Sequence, residues 1–152
     1  MIQRIQSVYL LLVVVLMGVV MSLPLGIYIG ADGGVSSLRA LGIDIAGVGH
    51  DSSCWGLFAI ALLSAIIALA TIFLYKNRKL QVRLTIFNIL VIIGWYATFI
   101  AFVMAYKEQL VSASFHCSTG CVLPLIAVFF NLLAIRGIRK DERLVKAADR
   151  LR

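Results

Sequence analysis

Four long apolar stretches separated by short polar connections dominate the chain: Val8 to Gly30, Cys54 to Tyr75, Leu84 to Tyr106 and Cys121 to Ile138. Each is close to the roughly 20 residues that a helix needs to cross about 30 Å of hydrocarbon. The pattern predicts an all-α integral membrane protein with four spans. The connection from Lys76 to Arg83 is so short that the second and third spans must be antiparallel neighbours, which gives an up-down-up-down bundle. Between the first two spans, residues 31–53 are punctuated by Gly33, Gly34, Gly42, Gly47 and Gly49, and Leu41, Ile43 and Ile45 alternate as in a short strand. A small hairpin is expected there. It has too few apolar residues for a core of its own, so it would cap the helix ends or rest on the second outer loop, 107–120.

Composition strengthens this reading. Of 152 residues, 62% are hydrophobic and 14% charged, where a soluble domain carries about a quarter charged. Four spans leave no room for a separate soluble domain, so residues 1–152 form one membrane domain with a tail at 139–152. The formal charge of +7 is explained by location. Arg4, Lys76, Arg78, Lys79, Arg83, Arg136, Arg139, Lys140, Arg143, Lys146, Arg150 and Arg152 share one side, and only Arg39 and Lys107 fall on the other. The positive-inside rule therefore places both termini and the central loop in the cytoplasm, with Asp32, Asp44, Asp51 and Glu108 outside. A basic rim of this kind meets anionic lipid and argues against nucleic acid as the partner. Arg4 followed by an apolar run has the look of a signal peptide, but the run is too long and Tyr28-Ile29-Gly30 is a poor cleavage site. The expectation is a retained signal anchor.

Within the spans, Ala61 and Ala65, with Ser64 and Ala68 beside them, form a small-residue stripe suited to close helix approach. Asn88 and Asn131 lie at similar depth, each five residues in from an arginine. A hydrogen bond between them across helices three and four would contribute about 0.6–2 kcal/mol. The spans carry no Asp, Glu, Lys, Arg or His away from their ends, unlike ion-coupled transporters. Pro24 and Gly26 interrupt the first span without a matching broken partner. Phosphate loops, nucleophile elbows and paired carboxylates are missing as well, and no cofactor is expected.

The remaining chemical candidates gather at the outer surface: His50, Cys54, His116, Cys117 and Cys121. On an oxidising face a disulfide is the first expectation. Cys54 and Cys121 would lie on diagonal helices, and Cys117, with loop freedom, is the better partner for Cys54, leaving one odd cysteine. The same five residues could instead ligate zinc or copper, although their spacing fits no strong pattern. A quinone-linked thiol oxidoreductase is a further alternative, against which stands the lack of a Cys-x-x-Cys pair.

After the fourth span, RGIRKDERLVKAADRLR places Leu144, Ala147, Ala148 and Leu151 at helical spacing. This predicts a cytoplasmic amphipathic helix, either on the membrane surface or docking a partner. The opening MIQRIQSVYLLL and the closing AIRGIRKDERLVKAADRLR resemble the ends of a family of small Bacteroidota membrane proteins known as domain of unknown function 4293. Gln3, Arg4 and Gln6 at one end, and Arg139, Lys140, Asp141, Glu142, Asp149 and Arg150 at the other, carry the resemblance. It implies a four-span inner-membrane protein without an assigned activity. With both ends cytoplasmic, Arg4 and Gln6 are expected to meet Asp141 or Glu142. Arg4, Gln6, Arg139, Lys140, Asp141, Glu142 and Arg150 would then form a docking face. The sequence reading is a non-enzymatic scaffold or accessory subunit of the bacterial inner membrane, docking a membrane or cytosolic protein. A homo-oligomer stays open, and the alternatives are the outer-face redox or metal protein and a carrier of lipid or a small molecule.

Overall fold

The computed structural model describes residues 2–30, 33–45, 47, 49–75, 77–109 and 114–150, with the side chains of 2–4, 107–109, 146 and 148–150 outside that description. Four helices dominate: α1 (Ile2–Ser22), α2 (Trp55–Phe73), α3 (Arg78–Gln109) and α4 (Thr119–Arg150). All four are long and apolar enough to cross a membrane, over Ile5–Ser22, Ser52–Phe73, Arg78–Tyr106 and Thr119–Val145.

The all-α expectation needs correcting, because the chain also forms a five-stranded sheet. Its strands are β1 (Pro24–Ile29), β2 (Val35–Arg39), β3 (Ile43–Ile45), β4 (Gly49–Asp51) and β5 (Ser114–Cys117). The order is β4-β3-β2-β1-β5, and every neighbouring pair is antiparallel. The predicted first span ran to Gly30, whereas the helix ends at Ser22. Pro24 has no N–H to donate and disfavours helix at Leu23. Ile27, Tyr28 and Ile29 then suit an extended chain. Two helix boundaries also move. Residues 78–83 begin α3, so only residues 74–77 join it to α2, and α4 runs unbroken into the tail, so the predicted C-terminal helix is not a separate element.

The sheet sits on the ends of the helices because it is threaded through them. β1 follows α1 directly, β5 enters α4 through Ser118, and a 3-10 turn at Ser52–Cys54 joins β4 to α2. The Ser118 N–H donates to the Leu25 carbonyl at 3.1 Å. At Gly120 the start of α4 comes so close to β1 that a Cβ would lie 2.6 Å from the Pro24 carbonyl oxygen. Leu25, Tyr28, Leu38 and Ile43 turn inward onto Cys54, Leu57 and Phe99. Tyr28 donates its hydroxyl to the Val103 carbonyl at 3.1 Å. Burial, with the nearby Cys54 thiol second, pushes its phenol up to about 12.

The helices pack with α1 against α4 and α2, and α3 against α2 and α4. Their buried positions repeat every three to four residues: Gln6, Leu10, Val13, Met17 and Val20 on α1, and Leu57, Ala61, Ser64, Ala68 and Thr71 on α2. On α3 they are Gln81, Thr85, Asn88, Ile92, Trp95 and Phe99, and on α4 Pro124, Ala127, Asn131, Ala134 and Ile138. An average spacing of about 3.5 residues is the repeat of left-handed, knobs-into-holes packing. Small residues on α2 and α4 face larger ones on α1 and α3, which lets the backbones approach. Ala65, part of the predicted stripe, is only partly buried, and Leu57 and Thr71 take its place at the ends of the row.

Candidate functional site

The interior is graded from apolar at the sheet end to polar at the end bearing the basic residues. Near the sheet, Met17, Val20, Leu57, Ala61, Ile92 and Trp95 fill it, and the Trp95 indole N–H donates to the Leu57 carbonyl at 3.0 Å. Halfway along, Ser64 donates to Asn88 Oδ1 at 2.7 Å. Asn88 Nδ2 lies 3.5 Å from Asn131 Oδ1, and Asn131 Nδ2 donates to the Ala127 carbonyl at 3.0 Å. The two amides thus meet between α3 and α4, with Ser64 of α2 as the shorter partner. Closer to the basic end, Thr85 donates to the Gln81 carbonyl at 2.8 Å, and Gln81 Nε2 reaches the Thr71 carbonyl at 3.3 Å.

This polar interior opens into a cavity of about 450 Å³ at the basic end. α1 contributes Gln6 and Ser7 to its wall, the end of α2 contributes Ile72 and Phe73, and Tyr75, Arg78, Gln81 and Asp141 complete it. Arg78 and Asp141 form an ion pair at 3.2 Å, with side chains only 25% and 15% exposed. A second Arg78 N–H reaches the Asp141 backbone carbonyl at 3.2 Å. Gln6 is 4% exposed, and its Nε2 has no hydrogen-bond partner among the described residues. A buried donor without an acceptor costs about 1–3 kcal/mol. Gly137 makes room for this side chain, since a Cβ there would lie 2.9 Å from Gln6 Cγ.

The family described as domain of unknown function (DUF4293) matches residues 2–151, nearly the whole chain. The chain belongs to the DUF4293 family. No curated protein matches it.

In this DUF4293 chain the predicted docking residues distribute unevenly. Asp141 is engaged by Arg78, a residue the sequence reading assigned to a loop. The expected contact with Arg4 lies outside the described side chains, as do the side chains of Gln3, Asp149 and Arg150. Arg139 and Lys140 are exposed, and Glu142 lines a shallow depression with Lys79 and Arg83.

At the sheet end the five Cys and His candidates separate. The register aligns His50, Asp44, Ser37, Ile27 and His116 in one row across the sheet. The two histidines therefore stand on opposite edges, four strand spacings or roughly 19 Å apart. Among the described residues no three of His, Cys, Asp and Glu gather as a metal site. All three cysteines are free thiols. Cys54 is buried beside Tyr106, whereas Cys117 and Cys121 lie within hydrogen-bonding reach of each other. Cys117 thus lies beside Cys121, and no disulfide joins it to Cys54, the pairing that the sequence favours. The reason is local, since Cys117 ends β5 and the chain reverses at Ser118, whose carbonyl accepts from the Cys121 N–H at 3.0 Å. Mild oxidation of the folded protein is expected to link Cys117 to Cys121, leaving Cys54 unmodified until unfolding. Peptide mapping of the non-reduced protein checks this, and a Cys54–Cys117 peptide would contradict it.

The outward row also carries charge chemistry. Asp44 accepts from Ser37 at 3.3 Å, pairs with Arg39 at 3.5 Å and contacts His50 Nδ1 at 2.7 Å. The His50 hydrogen bond is the largest influence holding its carboxyl below the usual range, ahead of Ser37 and Arg39. Asp51 is also held low, chiefly by the Ser53 hydroxyl at 2.7 Å, and it accepts from Tyr106 at 3.3 Å. A carboxylate lowered on folding stabilises the fold above its unfolded value, about 3.9, and that contribution disappears as pH falls through the folded value. Amide exchange in β3 and β4, corrected for intrinsic rates, is expected to accelerate below about pH 4. Asp44→Asn should flatten that dependence.

Proposed function

We propose that this protein is a four-span integral inner-membrane protein, an up-down-up-down bundle whose basic end lies in the cytoplasm and whose sheet lies outside. In this reading it serves as a scaffold or accessory subunit. The observation that carries the membrane reading is the inverted distribution of side chains. Ile5, Leu11, Val15, Leu63, Ile66, Phe87, Leu90, Ile93, Leu125 and Phe129 are exposed, whereas Ser64, Gln81, Asn88 and Asn131 are buried. Water would select the reverse, and lipid selects this arrangement because the polar groups then find partners inside. Trp55 at one end and Tyr75 at the other, both exposed, suit the two membrane interfaces. The charge bias supports the orientation.

The scaffold role is supported by the basic end. α4 continues past the apolar stretch as a helix bearing exposed Arg139, Lys140 and Arg143, tied to α3 through the Arg78–Asp141 pair. A rigid basic helix of this kind suits anionic lipid and an acidic protein surface together. Photo-crosslinking residues placed at Lys140 and Arg143 in native membranes test the role. One dominant polypeptide adduct, missing when the same probe replaces Val35 on the sheet, is the expected result. Adducts to lipid alone would overturn it, and adducts to a second copy of the chain would redirect it to a homo-oligomer.

A further inference from the structure

We propose that the cavity at the basic end binds the phosphate-bearing head group of a membrane phospholipid, with the Gln6 amide nitrogen and the Arg78 guanidinium as donors. The proposal rests on the membrane reading above. Gln6 Nε2 is a donor without an acceptor among the described residues, in a side chain 4% exposed that lines the cavity. Since an amide N–H can only donate, it calls for an acceptor, which a phosphate oxygen supplies. Arg78 is held in place by the Asp141 carboxylate and backbone carbonyl, contacts that use two of its five N–H donors. A guanidinium fixed in this way is set up for phosphate without further ordering.

Asp141 neutralises the charge of Arg78, so the site favours a singly charged phosphodiester over a multiply charged free phosphate. Ile72 and Phe73 make part of the wall apolar, which suits glycerol and the first carbons of an acyl chain. The position agrees too. Gln6 lies at the start of the apolar stretch of α1, and Phe73 ends α2, so the cavity is at the level where head groups meet hydrocarbon. A volume of about 450 Å³ falls within the usual range for small-ligand sites.

The test is native mass spectrometry of the full chain in detergent, titrated with a phosphatidylethanolamine and phosphatidylglycerol mixture. One phospholipid should be retained per chain, and Gln6→Met should weaken retention roughly tenfold or more. Leu90→Ala, on the outer surface of α3, should leave retention unchanged. Because Gln6→Met removes an unpartnered amide, the lipid-free variant is expected to be at least as heat-stable as the parent. If that variant fails to fold, a phospholipid carrying a diazirine at its head group supplies the second reading. It should label peptides containing Phe73 or Tyr75, and labelling elsewhere alone would overturn the site. Equal retention by Gln6→Met and the parent would also overturn it, as would displacement by millimolar inorganic phosphate, which would mark a free-anion site. A protein soluble without detergent would defeat the membrane reading, whereas a detergent-dependent protein without bound lipid would defeat the cavity proposal alone.

Discussion

Replacing Trp95 with alanine is expected to destabilise the folded chain by about 3–5 kcal/mol, the range for deleting a large buried aromatic side chain. Trp95 is fully buried, stacks on Phe99 with centroids 5.5 Å apart and meets the edge of Tyr96 at 5.2 Å. Its indole N–H also satisfies the Leu57 carbonyl in the first turn of α2. The residue belongs to the core that the helices share with the sheet, so its loss leaves a cavity against Phe99 and Tyr96. Unfolding in a series of denaturing micelles checks this, and Trp95→Phe should recover most of the packing but not the hydrogen bond. A cost for Trp95→Ala below about 1 kcal/mol would show that the upper core is not packed as described.

The second large effect is expected at Asn88. Asn88→Leu should cost about 1–2 kcal/mol, near the upper end for interhelical hydrogen bonds in lipid, because Ser64 and Asn131 both lose a partner in an apolar surrounding. Double-mutant cycles should rank the two contacts. The Ser64 bond at 2.7 Å should show the larger coupling with Asn88, and the Asn131 contact at 3.5 Å the smaller. Equal couplings, or a larger one with Asn131, would mean that the amide sits in a different rotamer.

The helices were legible in the sequence because each apolar run is long and almost without charge, a signal that owes nothing to tertiary contacts. The end of α1 was harder to place. Pro24 and Gly26 announced a break, yet Leu25 and Ile27 to Ile29 are as apolar as a span, and only pairing with β2 and β5 makes them a strand. β5 carried no readable signal. Four residues of mixed character have too short a period to register, and their partner β1 lies some 90 residues earlier in the chain.

The polar interior was half legible. Asn88 and Asn131 stand out against apolar neighbours, whereas Thr71, Gln81 and Gln6 sit near span ends, where polar residues are ordinary. What distinguishes them is the face they occupy, and the spacing of Gln81, Thr85 and Asn88 was the available clue. Arg78 has the sequence surroundings of a loop charge because the apolar window opens at Leu84, later than the helix does. The nearness of Cys117 to Cys121 has no signal in the sequence for a similar reason, since it depends on the turn at Ser118 between β5 and α4.

Sidedness is the most direct test of the central claim. In a background without native cysteines, Val35→Cys on the sheet and Arg139→Cys at the basic end would be treated with a membrane-impermeant maleimide in right-side-out membrane vesicles, before and after permeabilisation. Labelling of the Val35→Cys thiol at once, and of the Arg139→Cys thiol only after permeabilisation, is the predicted result. Immediate labelling of both, or the reverse order, would contradict a four-span protein with its sheet outside and its basic end in the cytoplasm.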